Sequence, residues 1–141
     1  MTEVSETVSL NASPTDVWSY IGNFDRLDSW HPAVASSETS QEGASRIRHL
    51  TLGDGSKIVE RLDSHDETAR SYTYTIMDAG PLPVRNYQST IKVTQDGTNA
   101  RVTWSSEFEA HEVPEADAQA AISGVYTSSF AALVEKFGPG E

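Results

Sequence analysis

The closing segment of the chain restricts its possible folds more than any other feature. After Pro114, with Glu115 and Asp117 in the opening turn, Ile122, Val125, Tyr126, Phe130, Leu133, Val134 and Phe137 recur every three or four residues. That spacing lines one side of an α-helix, and Gly138-Pro139-Gly140 ends it. About 24 residues make a helix of roughly 36 Å. An apolar stripe of that length has to be covered, and a sheet built by the rest of the chain is the element large enough to cover it.

The preceding residues supply such a sheet. From about Ala33 to Ala110 polarity alternates with period two, which predicts strands at 33–40, 45–52, 56–64, 69–77, 84–95 and 98–110. Turn signals separate them: Gly43, Gly53-Asp54-Gly55, then residues 65–68, 79–83 and 95–99. The gaps are short, so the strands form an antiparallel meander, and Thr2 to Leu10 adds a seventh strand. After that first strand, Ser13 suits an N-cap, Pro14 the first helical position and Asp16 the first turn. Val17, Ile21 and Phe24 follow at helical spacing, and 23–30 can form a second short helix before Pro32 interrupts it. The fold class is therefore α+β. A curved seven-stranded antiparallel sheet wraps around one long C-terminal helix, with two short helices after strand 1. The twist that lets a sheet wrap a helix also leaves a concave face, and part of it can enclose a cavity.

Size and charge narrow the function. The 141 residues suit one domain, residues 1–141, burying about two thirds of the unfolded surface. No apolar run approaches the roughly 20 residues of a membrane span. The opening "MTEVSETVSL" lacks the basic and apolar regions of a secretory signal. Without cysteine there is no disulfide, thiolate nucleophile or cysteine zinc site, and a cytoplasmic protein is expected. The net charge of −11 repels nucleic acid and anionic lipid, so neither nucleic-acid binding nor membrane insertion is expected. A monomer or homodimer is the expected state.

One hairpin carries the chemistry. In "KIVERL" (57–62), alternation puts Glu60 on the same face as Ile58 and Leu62. A three-residue loop Gly53-Asp54-Gly55 sets Leu52 opposite Ser56, Leu50 opposite Ile58 and Arg48 opposite Glu60, with Gly55 in the left-handed position. A two-residue loop would mix the apolar and polar faces. The preferred register thus brings an arginine beside a carboxylate on an apolar face. Such a pair is either a structural salt bridge or a polar anchor inside a pocket.

The same alternation places Tyr72, Tyr74 and Ile76 on one face. Arg85, Tyr87, Ser89, Ile91 and Val93 share a face of the next strand, as do Val102, Trp104, Ser106 and Phe108 on the last. Candidate catalytic residues are Glu60 and Arg48. Candidate ligand contacts are Tyr72, Tyr74, Arg85, Tyr87, Trp104 and Phe108, with Tyr126 and Phe130 from the helix. The histidines, His31, His49, His65 and His111, are not spaced as a metal pair, so no metal site is expected. His49 falls on the outer face; His31 in "SWHP" can reach a pocket mouth, but a solvated loop residue is the first reading of it. Gly53–Ser56 lacks the phosphate-loop pattern, and no Gly-x-Ser-x-Gly elbow is present.

The segments "SPTDVWSYIGNFDRLDSWHPAV", "DGSKIVERL", "RSYTYTI", "GPLPVRNYQSTIKV" and "VTWSSEFEA" before the long helix resemble the START-related SRPBCC superfamily, in its polyketide cyclase/dehydrase-type branch. The resemblance runs from about residue 3 to residue 137 and implies the helix-grip fold. In lachrymatory-factor synthases of this superfamily an arginine on the third strand and a glutamate on the fourth are the implied catalytic pair; the matching positions are Arg48 and Glu60. Likeness of "ERLD" and "NYQS" to plant abscisic-acid receptors implies pocket roles for Glu60, Arg85, Asn86 and Tyr87. The receptors' Ser-Gly-Leu-Pro gate is replaced here by Leu52-Gly53-Asp54-Gly55.

Two functions follow as expectations, neither needing a cofactor. One is a binding protein for a small hydrophobic or aromatic molecule, held between sheet and helix. The other is a cyclase, dehydratase or isomerase in which Glu60 moves a proton beside a carbonyl while Arg48 or Tyr87 stabilises the enolate oxygen. A protein-interaction module is a third, non-chemical reading.

Overall fold

The computed structural model describes residues 1–140. Strand β1 (Thr2–Leu10) leads to helix α1 (Pro14–Ile21) and a 3-10 stretch (Phe24–Ser29). Six strands follow: β2 (Val34–Glu42), β3 (Ser45–Leu52), β4 (Lys57–Asp66), β5 (Ser71–Asp78), β6 (Val84–Asp96) and β7 (Asn99–Ala110). Helix α2 (Glu115–Phe137) closes the chain. The sheet order is β1-β7-β6-β5-β4-β3-β2, antiparallel throughout. The curved sheet and its long helix make a helix-grip α+β fold, as the patterning predicts.

Local chemistry accounts for the element ends. The Ser13 hydroxyl accepts the Asp16 N–H at 3.1 Å, and Pro14 opens α1. The 53–55 loop closes with Leu52 N–H to Ser56 C=O at 2.9 Å, and Gly55 sits at φ 90°. The hairpin register is the one the facing pattern requires: Leu50 opposite Ile58 and Arg48 opposite Glu60.

The buried stripe of α2 is Ala118, Ile122, Tyr126, Ser129, Phe130 and Leu133. It lies against β1 and β7. Polar ties hold it there: Ser123 Oγ donates to Glu6 Oε2 at 2.5 Å, and the Asn11 and Gly140 N–H groups bond to the carbonyls of Gly138 and Ser9. Burying a side chain such as Leu133 or Ile122 contributes roughly 1.5–3 kcal/mol, so the helix is held chiefly by this stripe. Among the described residues no helix is long and apolar enough to cross a membrane.

Strand β6 departs from simple alternation. Its register with β7 shifts between Arg85 and Gln88, and Asn86 adopts φ 53°. Two consecutive residues, Arg85 and Asn86, therefore point outward between the buried Val84 and Tyr87. Alternation counted from Tyr87 puts Arg85 inside; the bulge puts it outside, where it pairs with Glu109 at 2.9 Å.

The β5–β6 turn depends on Gly80. Its φ is +54°, and a Cβ there would lie 2.1 Å from the Lys57 carbonyl oxygen. Gly80→Ala adds a backbone clash to left-handed strain that alone costs about 1–2 kcal/mol, so a loss of about 2 kcal/mol or more is expected. Urea unfolding measures it; an unchanged midpoint would show that this turn is not packed on β4.

Candidate functional site

A cavity of about 80 Å³ lies between the sheet and α2. Its inner wall is made by Leu50, Ile58, Glu60, Tyr74, Tyr87 and Trp104 from strands β3 to β7. Ile122 and Val125 of α2 and Leu27 and His31 from the connection after α1 face them. Half-buried Leu52, Ile76 and Leu82 surround the outer end. The loop 53–55 is held near the 30–34 segment by a Gly53 N–H to Ala33 C=O bond of 3.3 Å. The lining is overwhelmingly apolar, and among the described residues Glu60 is its one carboxylate.

Arg48 and Glu60 meet because their strands pair in the register above. Arg48 Nε donates to Glu60 Oε1 at 2.7 Å. Arg48 is 0% exposed and Glu60 5%. Arg48 Nη1 also donates to the Phe24 carbonyl at 3.0 Å and to the Tyr72 hydroxyl at 3.3 Å. The guanidinium carbon lies 4.2 Å from the Phe24 ring centre and 4.8 Å from that of Tyr74. Its Nη2 is buried without a partner. Arg48 does not line the cavity; it stands behind Glu60 and fixes it. Burial pushes the Glu60 carboxyl above its usual range, and the Arg48 charge partly offsets this. Arg48 keeps its proton at any accessible pH, and as a fully buried cation it requires the Glu60 carboxylate as counter-ion.

Beside the pair runs a chain of hydroxyls whose direction is fixed at one end. Ser89 Oγ is 2.8 Å from the Ser105 carbonyl, which can only accept, so Ser89 donates there. Tyr126 OH, 3.1 Å from Ser89 Oγ, must then donate to Ser89. The short Tyr87–Tyr126 contact therefore has Tyr87 as donor. By the same step Tyr74, 3.4 Å away, donates to Tyr87. The Trp104 N–H is shared between Ser89 Oγ at 2.9 Å and Tyr74 OH at 3.2 Å. Burial holds the Tyr74 and Tyr87 hydroxyls well above the usual tyrosine range and Tyr126 up to about 12, so all three stay protonated.

His31 takes the pocket position and not the solvated loop position that was the first reading of it. It is 3% exposed and walls the cavity instead of sitting in a solvated loop. Its Nδ1 accepts the Ala33 N–H at 3.1 Å, so the neutral ring carries its proton on Nε2 and donates it to the Val125 carbonyl at 3.0 Å. Burial lowers its pKa to about 4; the Val125 carbonyl opposes this and the Arg48 charge adds to it. The ring is also 5.9 Å from both Trp30 and Trp104. The only local signal was an aromatic-histidine-proline run, which says nothing of what covers it.

Of the residues singled out by patterning, Glu60, Tyr74, Tyr87 and Trp104 line the cavity. Tyr126 stacks on Trp104 at 4.5 Å and Phe108 on Tyr87 at 5.8 Å, both from behind. Tyr72 packs edge-on against Phe24 beside Arg48, and Phe130 is in the core. Arg85 does not line the cavity: the β6 bulge turns it outward to Glu109, where it borders a neighbouring surface hollow beside Ile76, Leu82 and Tyr87. Among the described residues no group of three or more His, Asp or Glu is arranged to hold a metal ion.

Comparison with known proteins gives a consistent picture. The family model described as "Polyketide cyclase / dehydrase and lipid transport" matches residues 1–138. The solved structure of XoxI from Bacillus cereus is similar at 37% identity and TM-score 0.90, covering 97% of this chain and 96% of that one. An uncharacterised protein from Bacillus thuringiensis is 35% identical, TM-score 0.87, over 96% of this chain and 98% of its own. The Zhui aromatase/cyclase from Streptomyces sp. R1128 shares the fold at TM-score 0.76 and 16% identity, over 95% of this chain and 92% of that one. A search of curated proteins finds no match. With its seven-stranded sheet closed on α2, and a family match spanning almost every residue, the chain belongs to the polyketide cyclase/dehydrase and lipid-transport family.

Proposed function

We propose that this protein binds a small hydrophobic or aromatic molecule in the cavity between the sheet and α2. Family membership supports a hydrophobic-ligand or cyclase-type role. The observation that carries the reading is Glu60: a carboxylate clamped from behind by Arg48 and facing an otherwise apolar hollow. A core built for stability alone gains nothing from such a pair, which apolar residues of similar volume replace at little cost or with benefit.

The hollow is small as closed. Its 80 Å³ is roughly half of the ~150 Å³ in which an engineered apolar cavity holds benzene. Occupancy by one aromatic ring therefore requires the half-buried mouth residues Leu52, Ile76 and Leu82 to move apart.

The second reading is a cofactor-independent cyclase, dehydratase or isomerase with Glu60 as the proton-moving base. Such chemistry needs a hydrogen-bond donor at the developing oxyanion. Arg48 lies behind Glu60, and the Tyr74 and Tyr87 hydroxyl protons are used within the wall. The enzyme reading thus needs the hydroxyl chain to rearrange when substrate binds, and binding is the reading the geometry favours.

Native mass spectrometry of protein purified from the organism that makes it tests this. A retained small molecule is expected in the wild type and absent from Leu82→Trp, whose indole would plug the mouth. No retained mass in the wild type, or an adduct that Leu82→Trp keeps equally well, would overturn the proposal. Turnover lost in Glu60→Gln while binding persists would favour the enzyme.

A further inference from the structure

We infer that the occupant of this cavity is a neutral molecule that presents a hydroxyl or N–H donor, and not an organic anion such as a carboxylate. The inference rests on the binding proposal and goes further by naming the class of ligand. It follows from which hydrogen-bonding groups in the wall remain open.

Each donor on the lining is already engaged. The Tyr74 hydroxyl gives its proton to Tyr87, and Tyr87 to Tyr126. The Trp104 N–H is shared by Ser89 and Tyr74. The His31 Nε2–H is given to the Val125 carbonyl. No lysine or arginine lines the cavity among the described residues. What the wall offers is therefore acceptors: the Glu60 carboxylate, only one oxygen of which meets Arg48, and the remaining lone pairs of the tyrosine oxygens.

A ligand carboxylate placed there would face lone pairs and a second carboxylate, with no donor to replace lost water; burying an unpaired charge in this way is strongly unfavourable. A cation is also disfavoured, because Arg48 already neutralises Glu60 and the added charge would have no counter-ion. A phenol or alcohol hydroxyl, or an aromatic N–H, donates to Glu60 and leaves its apolar body against Leu50, Ile58, Trp104 and Ile122. A hydrogen bond to a charged acceptor is worth about 1.5–3 kcal/mol, or roughly tenfold or more in affinity over the same body without the donor.

Three probes of similar size separate the possibilities: phenol, toluene and benzoate, titrated at pH 7 and followed by amide chemical-shift changes in residues around the cavity. Phenol is expected to bind about tenfold tighter than toluene, and benzoate more weakly than either. Because Glu60→Gln alone leaves Arg48 without a counter-ion, the variant for comparison is Arg48→Met/Glu60→Gln. It removes both charges, and in it the advantage of phenol over toluene is expected to fall at least severalfold. Benzoate binding in the cavity as tightly as phenol, or a phenol preference unchanged in the double variant, overturns this inference while leaving the cavity proposal standing. If none of the three perturbs cavity residues, the binding proposal fails and this inference with it.

Discussion

Replacing Arg48 by methionine is expected to destabilise the protein by about 3–5 kcal/mol, because it strands Glu60 as an unpaired carboxylate in the interior. It is the most buried ion pair among the described residues, with Arg48 at 0% exposure and Glu60 at 5%. The loss also removes the bonds to the Phe24 carbonyl and Tyr72 hydroxyl, so the 3-10 stretch loosens from β3 and β5. For a chain of this size the melting temperature should fall by roughly 10 °C or more. The double variant Arg48→Met/Glu60→Leu should recover much of the loss, since removing both charges restores a balanced interior. Thermal unfolding of the three proteins measures this. A single variant within 1 kcal/mol of the wild type would mean that the pair is hydrated and open to solvent.

The second large effect is a pH dependence set by His31. In the unfolded chain the imidazole titrates near 6.5, whereas burial lowers it to about 4 in the folded protein. Between these values the unfolded chain binds the proton and the folded protein does not. The stability that follows from a neutral His31 is complete above pH 6.5. It is lost as the pH falls through the window from 6.5 to about 4, up to about 3 kcal/mol in all. Protonation also removes the acceptor that Nδ1 offers to the Ala33 N–H, releasing the segment beside the cavity. Unfolding free energies at pH 7, 5.5 and 4.5 should fall more steeply in the wild type than in His31→Gln, by about 1.4 kcal/mol for each pH unit inside the window. Parallel slopes for the two proteins would show that the imidazole is hydrated in the folded state.

These predictions differ in how far they could have been foreseen. The Arg48–Glu60 pairing was legible, because a three-residue loop with Gly55 at its end and the need to keep Leu50, Leu52, Ile58 and Leu62 on one face select one register. The His31 position was not. Proline after it marks a break in structure, but whether a broken segment covers a core or hangs in water depends on elements far away in the chain, here the Val125 carbonyl of α2. The outward facing of Arg85 was hidden for a different reason. Period-two counting assumes an unbroken ladder, and one bulge inverts the parity of everything on its far side.

What the sequence alone determined is what local periodicity and turn chemistry encode: seven strands, a short helix opened by Ser13 and Pro14, a long helix with one greasy stripe, and an acid beside a base on a concave wall. Those follow from interactions within a few residues or across one tight hairpin. The tertiary structure alone decided the size of the hollow, the residues at its mouth and the direction of its hydroxyl protons. A cavity is the small difference between the large volumes of a sheet and a helix, and each hydroxyl's proton is assigned by partners on other elements, so neither can be read along a single strand.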